Sequence, residues 1–258
     1  MPFDLTGYAA RIGLADLPAA DAAGLAALVK AQRFAIPFEN LDIPLGYGIR
    51  LDPQSVFDKL VTRRRGGYCF EQNRLLRDAL EALGFEARPV LARVWLMADG
   101  VPPLTHTAVI VRIDGVEWLA DAGFGGSHFP PLRLEDGSMA ETPDGAAHRL
   151  LRNGDGWMLA RRDGTGAWQD QYGFVPETAV EADLEMGNHW TATRPGTRFT
   201  SLCIVSIPRA AGLVALTGRM LGGPAPEQIA DAGRYRAVLE ELFGIELSED
   251  EVARLGLF

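Results

Sequence analysis

Apolar positions in the first third of the chain recur at the spacing of amphipathic helices. The segment from Asp21 to Phe34 is rich in Ala and Leu and places Leu25, Leu28 and Val29 on one face. This spacing predicts a helix over residues 21–34. We expect Pro37 to stop it, because proline lacks the amide proton that a continuing helix needs.

Two further helices are predicted before residue 85. The first covers residues 53–62, with Asp52 as its N-cap. The second runs from Cys69 to Leu83 and is ended by Gly84. Its apolar stripe consists of Leu75, Leu76, Ala79, Leu80 and Leu83.

The middle of the chain changes to the β-branched and aromatic composition that is typical of strands. The predicted strands cover residues 89–97, 106–113, 116–121 and 168–174. Two more flank the turn signal Asn153-Gly154-Asp155-Gly156. A mostly antiparallel β region is therefore predicted.

The last part of the chain is mixed. Residues 199–207 favour a strand, and residues 234–243 favour a helix that ends at Gly244. Ser248 and Glu251 have the spacing of a capping box for a short final helix. Because no repeat or low-complexity linker separates the three parts, we expect them to pack together.

Composition and charge narrow the class of protein. The chain has 258 residues, of which 47% are hydrophobic and 23% charged, as in a soluble globular protein. A net charge of −9 argues against nucleic acid as a partner. The one basic cluster, Arg63 to Arg65, is interpreted as a solvated helix end.

The cysteine count and the apolar runs bear on location. Two cysteines do not make a disulfide framework. The N-terminus lacks the layout of a signal peptide, and no apolar run approaches the roughly 20 residues of a membrane span. These features predict a reduced, cytoplasmic protein without membrane association.

Cys69 is predicted in the first turn of the third helix. The helix dipole favours a thiolate there, and the preceding Gly66 and Gly67 allow unusual backbone angles and close approach of a ligand. The alternative is a small buried hydrophobic residue, as many free cysteines are. Position alone leaves both interpretations open.

A possible base for Cys69 comes from a predicted β-hairpin. Asp114-Gly115 is a strong two-residue turn signal between alternating runs. The turn sets the cross-strand pairs Ile113 with Val116, Arg112 with Glu117, and Ala108 with Asp121. In this register His106 and Asp121 are diagonal neighbours on one face, about 7–8 Å apart at Cα.

Such a pair has a known chemical use. An aspartate bonded to one imidazole nitrogen fixes the tautomer, and the other nitrogen can then take a cysteine proton. The pattern does not by itself bring Cys69 to this pair. Cys203 is expected in the core, and the other histidines lack paired ligand spacing, so no metal site is predicted.

Several ordered motifs resemble one known family. They are IPFENLD (36–42), RRGGYCFEQN (64–73), PPLTH (102–106), WLADAGFGG (118–126) and an F-x-x-x-L segment near Phe199. Over nearly its whole length the chain resembles the arylamine N-acetyltransferases. The resemblance implies an α+β fold: a helical bundle carrying the nucleophile (1–85), an antiparallel β-barrel carrying His and Asp (86–187) and a C-terminal α/β lid (188–258).

The family's activity is implied with its fold. The resemblance maps a Cys-His-Asp triad onto Cys69, His106 and Asp121. It implies that acetyl-CoA, a co-substrate rather than a bound cofactor, acylates the cysteine. An arylamine or arylhydrazine then attacks the thioester.

Binding residues are carried over from the same motifs. Phe38 and Phe124 are expected to line the acceptor pocket, although Phe124 could instead pack in the core. The residues expected to contact CoA are Pro102, Pro103, Thr105, Gly125, Gly126, Ser127 and Phe199.

Three other functions stay open at this point. A macrolactam-forming amide synthase would share the fold and triad, and a cysteine hydrolase would share the triad. A non-catalytic binding module would need a degenerate site, against which the intact Cys69, His106 and Asp121 argue.

Overall fold

The chain begins with helices, continues as an antiparallel sheet and ends in a second sheet with helices. The structure, a computed structural model, describes residues 2–142, 145–164 and 166–258. The helices are α1 (Leu5–Ile12), α2 (Ala22–Ala35), α3 (Pro53–Phe57), α4 (Cys69–Ala82), α5 (Glu181–Thr193), α6 (Arg198–Ser201), α7 (Ala232–Phe243) and α8 (Glu249–Arg254).

The strands, including several of only two or three residues, form two sheets. They are β1 (Phe38–Glu39), β2 (Glu86–Val94), β3 (Leu104–Ile113), β4 (Val116–Ala120), β5 (Leu132–Arg133), β6 (Met139–Glu141), β7 (Ala147–Asn153), β8 (Gly156–Arg162), β9 (Trp168–Phe174), β10 (Ile204–Arg209), β11 (Gly212–Thr217), β12 (Met220–Gly222) and β13 (Glu227–Gln228).

The predicted N-terminal helices are confirmed, and so is the predicted N-cap Asp52. The side chains of Asp21 and Asp52 accept hydrogen bonds from Gly24 N–H and Ser55 N–H, respectively. The predicted helix 53–62 is α3 followed by a wider, π-helical turn at Asp58–Thr62. Gly84, at φ +89°, takes the chain out of α4 in a conformation that favours glycine.

The first sheet is eight-stranded, antiparallel and barrel-like, in the order β5-β4-β3-β2-β9-β8-β7-β6. Strand β3 is buried on both faces. Val109 and Val111 pack against the helices, while Ala108 and Ile110 face the interior of the barrel. The predicted hairpin register is confirmed, since Arg112 pairs with Glu117.

The second sheet joins the chain's C-terminal part to its N-terminal part. Its order is β1-β10-β11-β12-β13, and α7 and α8 contribute to the core beneath it. The pattern did not predict β1, because two residues are too few to show a period. Through the Phe38–Ser206 pair, β1 joins this sheet to the segment that precedes α4.

The strand predicted at 199–207 is wrong in its first half. Phe199 lies in α6, and the strand begins at Ile204. The side chain of Asn40 explains the change of structure here. It donates to the carbonyls of Phe199 and Leu202 and accepts from Ile204 N–H, so it binds both the helix and the strand that follows.

The end of one strand and one whole helix also differ from the prediction. Strand β2 ends at Val94 rather than at residue 97, where Met97 has φ +60°. Helix α5, which crosses from the barrel to the second sheet, was not predicted. Its buried positions include Gly187 and Asn188, so it lacks a clear apolar stripe.

Among the residues that the structure describes, no helix is both long enough and apolar enough to cross a membrane.

Candidate active site

Cys69 is the first residue of α4 and is almost completely buried. The helix begins there because Tyr68 N–H donates to Glu71 Oε2 at 3.1 Å, which satisfies a donor that the helix leaves unpaired. The Tyr68 hydroxyl donates to Asn188 Oδ1 on α5. The nucleophile's helix is therefore fixed to its surroundings at its first turn.

The two glycines before Cys69 serve close packing of the protein against itself. A Cβ at Gly66 would lie 2.3 Å from the carbonyl oxygen of Pro37, and one at Gly67 would lie 2.8 Å from Glu71 Oε2. Neither glycine is in the left-handed region, so the prediction of unusual backbone angles is wrong; nearby, it is Arg64 that has φ +55°.

His106 and Asp121 form the pair that the hairpin predicted. His106 Nε2 lies 2.8 Å from Asp121 Oδ2, and both side chains are buried. Cys69 Sγ lies 3.7 Å from the carbonyl oxygen of Thr105, and it is close enough to His106 to contribute to raising the pKa of that imidazole. Because Nε2 is engaged with Asp121, Nδ1 is the ring nitrogen left for the thiol.

The charges of this group favour an imidazolium. Burial alone would lower the pKa of His106, but the charge and hydrogen bond of Asp121, with a smaller contribution from Cys69, raise it to about 10. Burial opposes ionisation of Asp121, yet the charge of His106 and several hydrogen bonds lower the pKa of that carboxyl. A proton is therefore held on the ring at neutral pH.

Two residues of the site were missed by the sequence analysis. Asn73 Nδ2 donates to Asp121 Oδ1 at 3.0 Å, and the ring of Tyr172 lies 4.6 Å from that of His106. Asn73 follows Cys69 by one helical turn, and this spacing could have placed it below the cysteine. Tyr172 gives no local signal, because only the long-range pairing of β9 brings it to the site.

The predicted aromatic residues gather around Cys69 and His106. The ring of Phe124 is 5.2 Å from that of His106. Phe199 lies 5.8 Å from Phe38 and 5.7 Å from Tyr68, the residue next to the nucleophile. Phe124 thus lies beside His106 and Phe38 packs in the same cluster as Cys69, and the binding roles of both stay predictions.

The loop at residues 125–127 is held from three sides. Gly125 O accepts from Ser206 Oγ at 2.6 Å, and Gly126 O accepts from Arg33 Nη2 at 2.6 Å. Ser127 Oγ accepts from Arg161 Nη2 at 3.3 Å. The loop is therefore well fixed beside Phe124, and its contact with CoA stays a prediction.

A cavity of about 670 Å³ lies between the barrel and α5. Of the residues predicted to contact CoA, Pro103 lines it, while the carbonyl of Pro102 accepts from Arg93 Nη1 at 2.6 Å. The others, Thr105, Gly125 to Ser127 and Phe199, do not line this cavity. Its aromatic walls are Trp95, Trp157, Phe174 and Trp190.

The other cysteine lies in a different core from Cys69. Cys203 is a free thiol in the core of the second sheet, where burial raises its pKa to about 11. Within the described part of the chain, no three His, Cys, Asp or Glu side chains are grouped so as to hold a metal ion.

Comparison with known proteins gives the class to which this fold and site belong. A family model described as N-acetyltransferase matches residues 21–252. Arylamine N-acetyltransferase from Mycolicibacterium smegmatis is 39% identical, over 96% of this chain and 94% of the relative. The one from Escherichia coli is 37% identical, over 95% of this chain and 90% of the relative.

Solved structures agree with the sequence relatives. The Salmonella typhimurium arylamine N-acetyltransferase superposes with a TM-score of 0.92 at 32% identity, covering 98% of both chains. The Mycobacterium marinum enzyme, solved in complex with CoA, gives 0.88 at 34% identity, again over 98% of both chains. The protein is thus an acyltransferase by class. The chain belongs to the arylamine N-acetyltransferase family.

Proposed function

We propose that the protein transfers the acetyl group of acetyl-CoA to the amino group of an aromatic amine or hydrazine, through an acetyl thioester on Cys69. One observation carries the proposal. Cys69 starts a helix beside His106, whose other nitrogen is held 2.8 Å from Asp121, in a chain of the arylamine N-acetyltransferase family.

In the first half-reaction, the proton of the Cys69 thiol rests on His106 Nδ1, and the sulfur attacks the acetyl carbonyl carbon as a thiolate. The carbon–sulfur bond to CoA then breaks. The leaving thiolate of CoA takes the proton from His106, so Cys69 carries the acetyl group and free CoA departs. Asp121 stabilises the imidazolium until this proton transfer.

In the second half-reaction, the amine nitrogen attacks the thioester carbonyl and gives a proton to His106. The bond between carbon and Cys69 Sγ breaks, and the proton stays on His106 beside the released thiolate. The products are the N-acetylated amine and the free cysteine, so the enzyme is ready for another acetyl-CoA. Backbone N–H groups at the start of α4, which have no partner within the helix, are our proposed donors to the oxyanion.

The surroundings of Cys69 suit an aromatic acceptor. Phe124 lies against His106, and Phe38 lies near Phe199. Phe38 also packs closely on Gly125, since a Cβ added at Gly125 would lie 3.1 Å from the Phe38 ring. An aromatic amine bound among these rings would have its nitrogen near the thioester carbon, which favours attack over that of water.

The cavity beside α5 is our proposed route for part of acetyl-CoA. Its lining residues Pro103 and Leu104 directly precede Thr105, whose carbonyl contacts Cys69. The M. marinum relative solved with CoA supports a CoA site in this fold. Contacts of CoA with the loop at 125–127 and with Phe199 belong to the same proposal, as does a cytoplasmic location.

Release of CoA under single-turnover conditions tests the proposal. Acetyl-CoA alone should give about one equivalent of free CoA per active site and then only slow release. An aromatic amine or hydrazine should restart turnover with parallel double-reciprocal lines, and mass spectrometry of the stalled enzyme should show one acetyl group on Cys69. CoA release that is equally fast without amine would establish a hydrolase instead.

A panel of free amines distinguishes the proposed transferase from an amide synthase. An amide synthase that closes a chain onto its own arylamine would leave small aromatic amines and hydrazines unacetylated, whereas the proposed transferase acetylates them.

A further inference from the structure

We propose that Asn73 is a positioning residue, which orients Asp121 toward His106 and ties the nucleophile's helix to the His–Asp hairpin. This inference rests on the proposed function. Asn73 lies on α4 one turn after Cys69 and is almost completely buried.

The amide of Asn73 binds three different parts of the site. Its Nδ2 donates to Thr107 O at 2.6 Å and to Asp121 Oδ1 at 3.0 Å. Its Oδ1 accepts from Ala122 N–H at 2.9 Å. Thr107 follows the histidine and Ala122 follows the aspartate, so one side chain bridges both strands of the hairpin to α4.

These bonds decide which oxygen Asp121 presents to the histidine. Oδ1 accepts from Asn73 and also from Gly123 N–H at 2.7 Å, whereas Oδ2 is 2.8 Å from His106 Nε2. With Oδ1 held by two donors, the carboxylate cannot rotate without breaking both bonds. Removal of Asn73 would leave Oδ1 with the Gly123 donor alone.

The packing around this contact leaves little room for adjustment. A Cβ at Gly123 would lie 2.7 Å from Asn73 Nδ2 and 2.7 Å from Cys69 Cα. The turn after β4 therefore lies directly on the nucleophile's helix, and Asn73 fills the contact between them. A small displacement here would change the distance from Cys69 to the histidine, which catalysis tolerates poorly.

A neutral amide suits the position for a chemical reason. It donates to a carboxylate and accepts from a backbone N–H at the same time, which no aliphatic side chain does. An aspartate at residue 73 would keep the acceptor but would place a second carboxylate against Asp121. Two such carboxylates share one proton, so the pair would regain a donor only at lower pH.

Other titratable groups near Asp121 also contribute to the pH dependence of activity. They come from four elements packed around it: His106 on β3, Cys69 on α4, Tyr172 on β9 and Arg33 on α2. None of them is altered by a substitution at Asn73, so a change in profile reports on the new carboxylate pair.

The experiment compares Asn73→Ala and Asn73→Asp with Gln32→Ala. Gln32 is a matched control, because its buried amide also binds α4, at Gln72 O, and accepts from the Tyr8 hydroxyl. For each variant, kcat and KM for acetyl-CoA are measured as a function of pH, with thermal unfolding recorded alongside. The rate of Cys69 alkylation by iodoacetamide is followed over the same pH range.

We expect Asn73→Ala to lower kcat by about a hundredfold while KM for acetyl-CoA changes little. Asn73→Asp should be equally impaired at neutral pH and should recover activity as pH falls. Gln32→Ala should lose thermal stability and keep the wild-type pH profile. If Asn73→Ala fails to fold, Asn73→Asp, which has nearly the same shape, still gives the pH test.

Two results would overturn the role of Asn73. One is a kcat within about threefold of wild type for both variants. The other is impairment of Asn73→Asp that does not vary with pH, accompanied by the same loss of thermal stability as in Gln32→Ala. If wild type transfers no acetyl group, the proposed function fails, while the alkylation profiles still decide the role of Asn73.

Discussion

Two buried polar clusters meet at the first turn of α4. They differ in whether every charged group is paired or one titratable atom stays available for proton transfer. We call Cys69, His106, Asp121 and Asn73 the catalytic cluster. We call Glu39, Asp42, Lys59, Arg65 and Glu71 the ion-pair network. The residues of both clusters are buried.

In the ion-pair network each cation lies between two carboxylates. Lys59 Nζ is 2.7 Å from Glu71 and 2.9 Å from Asp42, and Arg65 Nη2 is 2.9 Å from Asp42 and 2.8 Å from Glu39. The interpretation of Arg65 as part of a solvated helix end is therefore wrong. Burial raises the pKa of Glu71 to about 7 despite the nearby charge of Lys59.

The catalytic cluster is arranged differently. Asp121 has all its close contacts filled, but His106 keeps one ring nitrogen for the thiol of Cys69, which lies against the carbonyl of Thr105. Buried charge alone therefore does not mark a reactive site. What distinguishes the catalytic cluster from the ion-pair network is a titratable atom that the fold holds in place and leaves available for proton transfer.

Of the substitutions that test this comparison, removal of the nucleophile should have the largest effect on activity. Cys69→Ala should lower acetyl transfer by at least about 10⁴-fold, because no other group in the cluster can carry the acetyl group. The control is Cys203→Ala, which removes the other buried thiol. Both variants are assayed for N-acetylation and thermal unfolding, and clear acetyl transfer by folded Cys69→Ala would contradict the mechanism.

Asp121→Asn should be nearly as damaging, since an amide of the same shape favours the wrong imidazole tautomer. The template for this effect loses about 10⁴-fold in rate. The exposed Asp170→Asn on β9 controls for loss of a carboxylate. A rate for Asp121→Asn within about tenfold of wild type would mean that Asp121 does not orient His106.

Lys59→Met should act on stability rather than on chemistry. It leaves Glu71 and Asp42 buried without their shared cation, which is expected to cost about 3–5 kcal/mol of unfolding free energy. Denaturant unfolding measures this cost, and kcat per folded molecule should fall far less than in Asp121→Asn. The exposed Lys30→Met on α2 is the control; equal unfolding curves for the two variants would contradict the role of the network.

Stability should also depend on pH through His106. Its pKa in the folded protein is about 10, above the roughly 6.5 of an unfolded chain, so its contribution is complete below about pH 6.5 and is lost toward pH 10. The difference in unfolding free energy between wild type and His106→Gln should therefore narrow as pH rises. Denaturant titrations from pH 6 to 10 test this, and a constant difference would count against the buried imidazolium.

The smallest expected effect is that of Phe124→Ala. If Phe124 lines the acceptor pocket, the amine half-reaction should slow by about tenfold, and acylation by acetyl-CoA should slow less. Phe57→Ala, which removes a half-buried ring of the helical core, is the control. Equal losses in both half-reactions with lower thermal stability would favour a packing role for Phe124.

Features that depend on neighbouring residues could be predicted from the sequence. The cap at Asp52 could be predicted because its side chain binds an N–H only three residues along the chain, at Ser55. The His106–Asp121 pair followed from the Asp114-Gly115 turn, because a two-residue turn fixes the register of both strands. The family's motifs also implied the overall architecture of helices, barrel and second sheet.

The tertiary structure decided the contacts between distant segments. Only the fold brings Cys69 to Thr105 and His106, sets Tyr172 against the histidine ring and buries Arg65 among carboxylates. It also pairs β1 with β10 and starts that strand at Ile204 rather than at residue 199. No local pattern encodes these pairings, since their energy comes from burial and from partners that only packing supplies. The sequence by itself therefore determined the reactive groups and their local frames, and the packing of α4 on the hairpin assembled them into one site.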